Sequence, residues 1–129
     1  MKNNIVFAAF AVSMVSVFIF IIFLMPKSNA RDDLQEFTQC LSDSGAKFYG
    51  AFWCSYCKDQ KQLFGTSVKD LPYTECSTPD GNSQIQECID KNVQTYPTWI
   101  FSDESVLTGV VQLETLAEKT NCTLPDNTK

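Results

Sequence analysis

The sequence predicts an α/β fold, a central mixed sheet flanked by helices, behind an N-terminal transmembrane or signal segment. Three observations predict it. Residues 46–52 are a short, aromatic-rich run of strand character, and they hand over at Cys54-Ser55-Tyr56-Cys57 to residues 58–64, which contain no helix breaker before Gly65. About forty residues on, Tyr96-Pro97-Thr98-Trp99 leads into a second strand-like run. Between and around these landmarks the apolar residues alternate between helical and strand spacing.

Taken in order, the globular part opens at Asp32 and Asp33 with a helix that places Leu34, Phe37 and Leu41 on one face. Cys40 lies in that helix, and Gly45 ends it. The strand, CxxC and helix follow. Residues 71–76 form a second short strand, and residues 77–82 are a turn cluster. From Ser83, Ile85, Cys88, Ile89 and Val93 recur at helical spacing. Residues 98–101 and 106–111 are two strands of a hairpin joined by the polar residues 102–105. A last helix runs from about Leu113 to Asn121 with Cys122 at its end, and a polar tail closes the chain. This is the element order of the thioredoxin-like fold. In that fold a cis-proline in the place of Pro97 lies against the active disulfide, and the residue before it offers backbone to a substrate.

The chain has 129 residues, enough for one domain and an appendage. Residues 5–25 carry no charge; at about 1.5 Å per residue they can cross a bilayer core of about 30 Å. Residues 1–30 are therefore a membrane anchor or signal peptide, and residues 31–129 a thioredoxin-like domain. Ser28-Asn29-Ala30 fits a small-x-small cleavage site, but the apolar run is longer than a signal-peptide core, which favours retention as an anchor. From residue 31 on there are 8 basic and 15 acidic side chains, a net charge of −7. That balance argues against a nucleic-acid partner and for a soluble, self-repelling surface. Six cysteines in so short a domain point to an oxidising compartment: the periplasm, a lumen or the extracellular space. Cleavage of residues 1–30 would make the protein secreted.

Two cysteines separated by two residues can close a small disulfide ring or open to a dithiol. At a helix N-terminus the first of them sits in a positive field that favours the thiolate, the species that attacks disulfides. A zinc half-site is the alternative, but it needs two further ligands; the chain has no His and no second CxxC. A purely structural CxxC loop is the other alternative. The Pro97 landmark favours redox chemistry, which calls for no metal and no cofactor.

Residues 47–57, then Gln60-Lys61 and Leu63-Phe64-Gly65, closely resemble the thioredoxin-like domain attached to bacterial homologues of vitamin K epoxide reductase (VKOR). The likeness continues through Leu71-Pro72-Tyr73, Glu75-Cys76, Cys88 and Tyr96-Pro97-Thr98-Trp99 to Leu113-Glu114-Thr115-Leu116-Ala117. The resemblance implies a thiol–disulfide oxidoreductase that takes electrons from exported proteins bearing free thiols as their disulfides form. It implies a VKOR-like or other quinone-linked membrane reductase as partner, here a separate protein, since this chain has one possible span. Two departures stand out. Family members often carry Pro-His between the cysteines, where this chain has Ser55-Tyr56, which implies a less oxidising potential. Many thioredoxins place a buried acid six residues before the first cysteine; Phe48 stands there instead, which leans towards oxidation.

The expected roles follow. Cys54 is the exposed nucleophile and Cys57 the buried resolving thiol. Cys76 and Cys88 flank the turn-rich loop and are expected to form a structural disulfide, with a relay to the CxxC as the alternative. Cys40 and Cys122, from the first and last helices, are expected to clasp the ends of the domain. Trp53, Tyr56, Tyr96 and Pro97 are candidates for a substrate groove, whereas Phe52 is expected in the core and Trp99 in core or edge packing. A periplasmic reductant or disulfide isomerase would use the same residues, and a redox-inert binding module on this fold is an alternative of a different class.

Overall fold

The computed structural model describes residues 34–125, together with Met14. The elements are α1 (Gln35–Asp43), β1 (Lys47–Gly50), α2 (Ser55–Gln62), a 3-10 helix (Gly65–Asp70), β2 (Tyr73–Glu75), α3 (Gln86–Asp90), β3 (Thr98–Ile100), β4 (Val106–Thr108) and α4 (Leu113–Thr120). The strands form one sheet in the order β2-β1-β3-β4. β1 runs parallel to β2 and antiparallel to β3, and β3 pairs antiparallel with β4. A mixed four-stranded sheet with flanking helices in this order fits an α/β thioredoxin-like fold. No helix among the described residues is long and apolar enough to cross a membrane; apart from Met14, the apolar segment at residues 5–25 lies outside them.

The strand period of two builds the core. Phe48 and Tyr49 are neighbours in β1 and therefore face opposite sides of the sheet. On the Phe48 side the register puts Tyr73, Phe48, Trp99 and Leu107 in one row across four strands. Phe48 stacks on Trp99 at 5.0 Å and meets Tyr73 edge-on at 5.0 Å. α1, α2 and α4 add Phe37, Leu41, Cys57, Leu113 and Leu116 to this larger cluster. On the other side, Tyr49 packs with Cys76, Cys88 and Val93, where α3 contributes. Trp99 is fully buried, as its strand position requires.

Gly45 adopts φ +82° just past α1, so the chain reverses there without a Cβ clash. α4 stops at Asn121, which takes the left-handed conformation in the role usually filled by glycine. Gln60, wholly buried on α2, ties that helix to the segment after β4: its amide donates to Val111 O at 3.0 Å and accepts from Val111 N–H at 2.7 Å. Both amide ends are thereby paired inside the core, where an unpaired group costs about 1–3 kcal/mol.

The sequence expectation fails at α3. The periodicity from Ser83 predicts a helix with Ile89 inward, but only Gln86–Asp90 is helical and Ile89 is 51% exposed. The Cys76–Cys88 bridge and Val93 hold this short turn of helix against the sheet, so one inward residue per turn suffices. β4 likewise covers only Val106–Thr108 of the expected strand, with Val106 turned to solvent.

Candidate functional site

β1 ends at Gly50, and Ala51, Phe52 and Trp53 carry the chain out of the sheet to Cys54, the N-cap of α2. Cys54 N–H donates to Ala51 O at 3.0 Å, closing the turn. The Cys54 sulfur accepts from Cys57 N–H at 3.2 Å, doing for the first helical turn what a Ser or Asp oxygen does at other N-caps. The two sulfurs are 2.7 Å apart, with the Cys57 thiol donating to Cys54. Closing them to a disulfide of about 2.05 Å asks only for a small side-chain movement.

Cys54 was expected to be exposed. It is 7% accessible against 1% for Cys57, because its sulfur is turned in to cap the helix. Phe52 was expected in the core and is instead 51% exposed. Its residue has left the sheet, and its N–H is held by Glu75 Oε1 at 3.1 Å. Trp53 is 53% exposed, yet its indole N–H donates to Ser77 Oγ at 3.0 Å and its ring meets Tyr96 edge-on at 5.9 Å. Tyr56 is the most exposed of these rings, at 63%. Trp53, Cys54, Ser55 and Tyr56 line one shallow depression with Gln94, Thr95 and Tyr96. The Tyr96–Pro97 peptide is cis, and Pro97 is buried. Tyr96 is fixed from below by Gln84, whose amide donates to its hydroxyl at 2.6 Å.

The remaining cysteines lie elsewhere. Cys40 and Cys122 are bonded at 2.04 Å, joining α1 to the residue after the C-cap of α4. Cys76 and Cys88 are bonded at 1.99 Å, joining the end of β2 to α3. Ser77, next to Cys76, is the residue that holds Trp53, so this second bridge anchors the wall of the depression.

Two residues of the site are given no role by the sequence. Tyr73 and Glu75 are two apart on β2 and face the region behind Cys57. The Tyr73 hydroxyl donates to Glu75 Oε2 at 2.7 Å, and Ser77 N–H reaches Glu75 Oε1 at 3.0 Å. Lys61 Nζ, on α2, lies 3.5 Å from the Tyr73 ring centroid. Burial first, and then its hydrogen bond to Cys54, push the Cys57 thiol from an ordinary 9.0 up to about 12.

This shift has a signed consequence. Between those two values the folded dithiol keeps a proton that the unfolded chain releases, so stability present below about pH 9 is lost as pH rises towards about 12. The urea midpoint of the reduced domain is therefore expected to fall more steeply from about pH 8 to about pH 11 than that of the oxidised domain, in which Cys57 does not titrate. Parallel falls would contradict it.

No family model matches the chain. A curated relative does. The chain is similar to the thiol-disulfide oxidoreductase LTO1 of Arabidopsis thaliana, with 45% identity over 89 residues. That stretch is 65% of this chain and 23% of the relative, so the chain spans about a quarter of the protein it matches.

Proposed function

We propose that this domain is a protein thiol–disulfide oxidoreductase that gives its Cys54–Cys57 disulfide to exported proteins bearing free thiols. In the same proposal a VKOR-like, quinone-linked membrane reductase takes the electrons away. The observation that carries the reading is the pair of sulfurs 2.7 Å apart at the N-terminus of α2, one beside a surface depression and one behind it. The similarity to a named thiol-disulfide oxidoreductase supports it.

The chemistry is an exchange of bonds. A client thiolate attacks Cys54 Sγ, the Cys54–Cys57 bond breaks, and Cys57 leaves with the electron pair and is protonated. The client's second thiolate then attacks the client sulfur of the mixed disulfide and releases reduced Cys54. Trp53, Tyr56 and Tyr96 are the proposed groove for the client segment. Residues 1–30 would tether the domain to the membrane on an oxidising side, or be cleaved to release it.

Oxidation of reduced ribonuclease, followed by recovery of its activity, tests this against reduction of insulin. The oxidised chain is expected to restore ribonuclease activity stoichiometrically and to be a poor insulin reductant. Rapid insulin reduction with no ribonuclease recovery would reverse the assigned direction, and neither activity would leave the domain a binding module.

A further inference from the structure

Resting on the dithiol reading above, we infer that Tyr73 and Glu75 form a proton path for Cys57, with Tyr73 as relay and Glu75 as acceptor. The chemistry demands such a path. When a disulfide donor re-oxidises the reduced domain, Cys57 must lose its proton before it can attack, and it is the more deeply buried thiol of the pair. Phe48, which faces the same cluster from β1, has no proton acceptor to give.

The geometry supplies one from β2. Gly50 is buried opposite the helix, and a Cβ placed on it would lie 3.0 Å from Cys57 Sγ, 3.0 Å from Tyr73 Cε2 and 3.4 Å from the Tyr73 hydroxyl oxygen. Sulfur and phenol thus border the same small gap, which the absence of a side chain at Gly50 keeps open. Beyond the phenol stands the Glu75 carboxylate, 2.7 Å from the hydroxyl it accepts from. Phe52 N–H and Ser77 N–H fix its other oxygen, so the acceptor cannot swing away. Lys61 over the ring holds the phenol in place. Glu75 is only half-buried, so it can exchange its proton with water.

The groups around Cys57 are Cys54 and Lys61 on α2 and Tyr73 and Glu75 on β2. Lys61 favours the Cys57 thiolate. Burial, and then the Glu75 carboxylate, hold Tyr73 above the ordinary phenol range, so it stays protonated and passes a proton on without becoming an anion itself. In the step, a mixed disulfide joins Cys54 to the donor. The Cys57 proton moves to the Tyr73 oxygen as the Tyr73 proton moves to Glu75 Oε2. The Cys57 thiolate attacks Cys54 Sγ, the Cys54–Cys57 bond forms, and the donor sulfur leaves with the electron pair. When Cys57 is instead the leaving group, the same path returns a proton drawn from water through Glu75.

Stopped-flow reaction of the full chain, reduced only at Cys54 and Cys57, with 5,5′-dithiobis(2-nitrobenzoate) separates the two thiols. The first release of thionitrobenzoate depends on reagent concentration and reports Cys54; the second does not and reports Cys57. Tyr73→Phe keeps the ring that packs on Phe48 and under Lys61, and Glu75→Gln removes the acceptor. Tyr73→Phe is expected to leave the first release unchanged and to slow the second near neutral pH by on the order of a hundredfold, the low end of what a positioned acid–base group supplies. The deficit is expected to shrink steadily as pH rises towards about 12, as hydroxide ionises Cys57 directly. Glu75→Gln should slow the second release to a similar degree; if it also slows the first, by freeing Phe52, Tyr73→Phe alone decides. A second release unchanged in Tyr73→Phe, or slowed equally at every pH as mere loosening would do, overturns the proton path. Absence of both releases in the unmutated chain would instead overturn the dithiol reading beneath it.

Discussion

Cys57→Ser is expected to accumulate mixed disulfides between Cys54 and client proteins, while Cys54→Ser is expected to lose exchange altogether. The two sulfurs are chemically alike but differ in place. Cys54 borders the depression and caps α2 through its sulfur; Cys57 faces Gly50 and the core, and its thiol is pushed up to about 12. An incoming thiolate can therefore reach only Cys54, and with Cys57 absent nothing inside the domain resolves the adduct. Non-reducing electrophoresis of each variant after mixing with a reduced client reads the outcome. Trapped species in Cys54→Ser and none in Cys57→Ser would reverse the roles.

The largest loss of stability is expected from removing the bridge between Cys40 and Cys122. It closes a loop with a sequence separation of 82, against 12 for Cys76–Cys88. Loop-closure entropy alone assigns these about 4.5 and about 3 kcal/mol. A small domain has only about 5–15 kcal/mol in total, so Cys40→Ala with Cys122→Ala should bring it near the threshold of folding. Urea denaturation of the double variant measures the difference. A loss under about 1 kcal/mol would mean that the unfolded chain is already held compact without the bridge.

The element order is legible in the sequence because each element satisfies a local rule. Gly45 stops α1, the CxxC follows the first strand after a short turn, and Asn121 caps the last helix. Phe48 and Trp99 are strand residues whose partners must be large and apolar. The residues singled out at positions 53, 54, 56 and 96 lie around one depression, since the turn before α2 and the loop before β3 meet at the same end of the sheet. What the sequence hides is whatever depends on strand register. Tyr73 and Glu75 look like ordinary residues of a short strand until β2 is laid parallel to β1, with Gly50 opposite Glu75. Phe52 misled because hydrophobicity does not show where a strand ends; the turn lifts it out one residue before Trp53. Ile89 misled because a bridge at Cys88, rather than a full apolar stripe, holds α3 down.

Equilibrating the chain with glutathione buffers of graded potential, then alkylating and weighing the Cys54–Cys57 peptide, tests the assignment most directly. The expected result is a single two-electron transition confined to Cys54 and Cys57, with a midpoint nearer to about −120 mV than to about −270 mV. Both other bridges should stay intact through it. A midpoint near about −270 mV would contradict disulfide donation, and a transition at Cys76–Cys88 with none at Cys54–Cys57 would contradict the site itself.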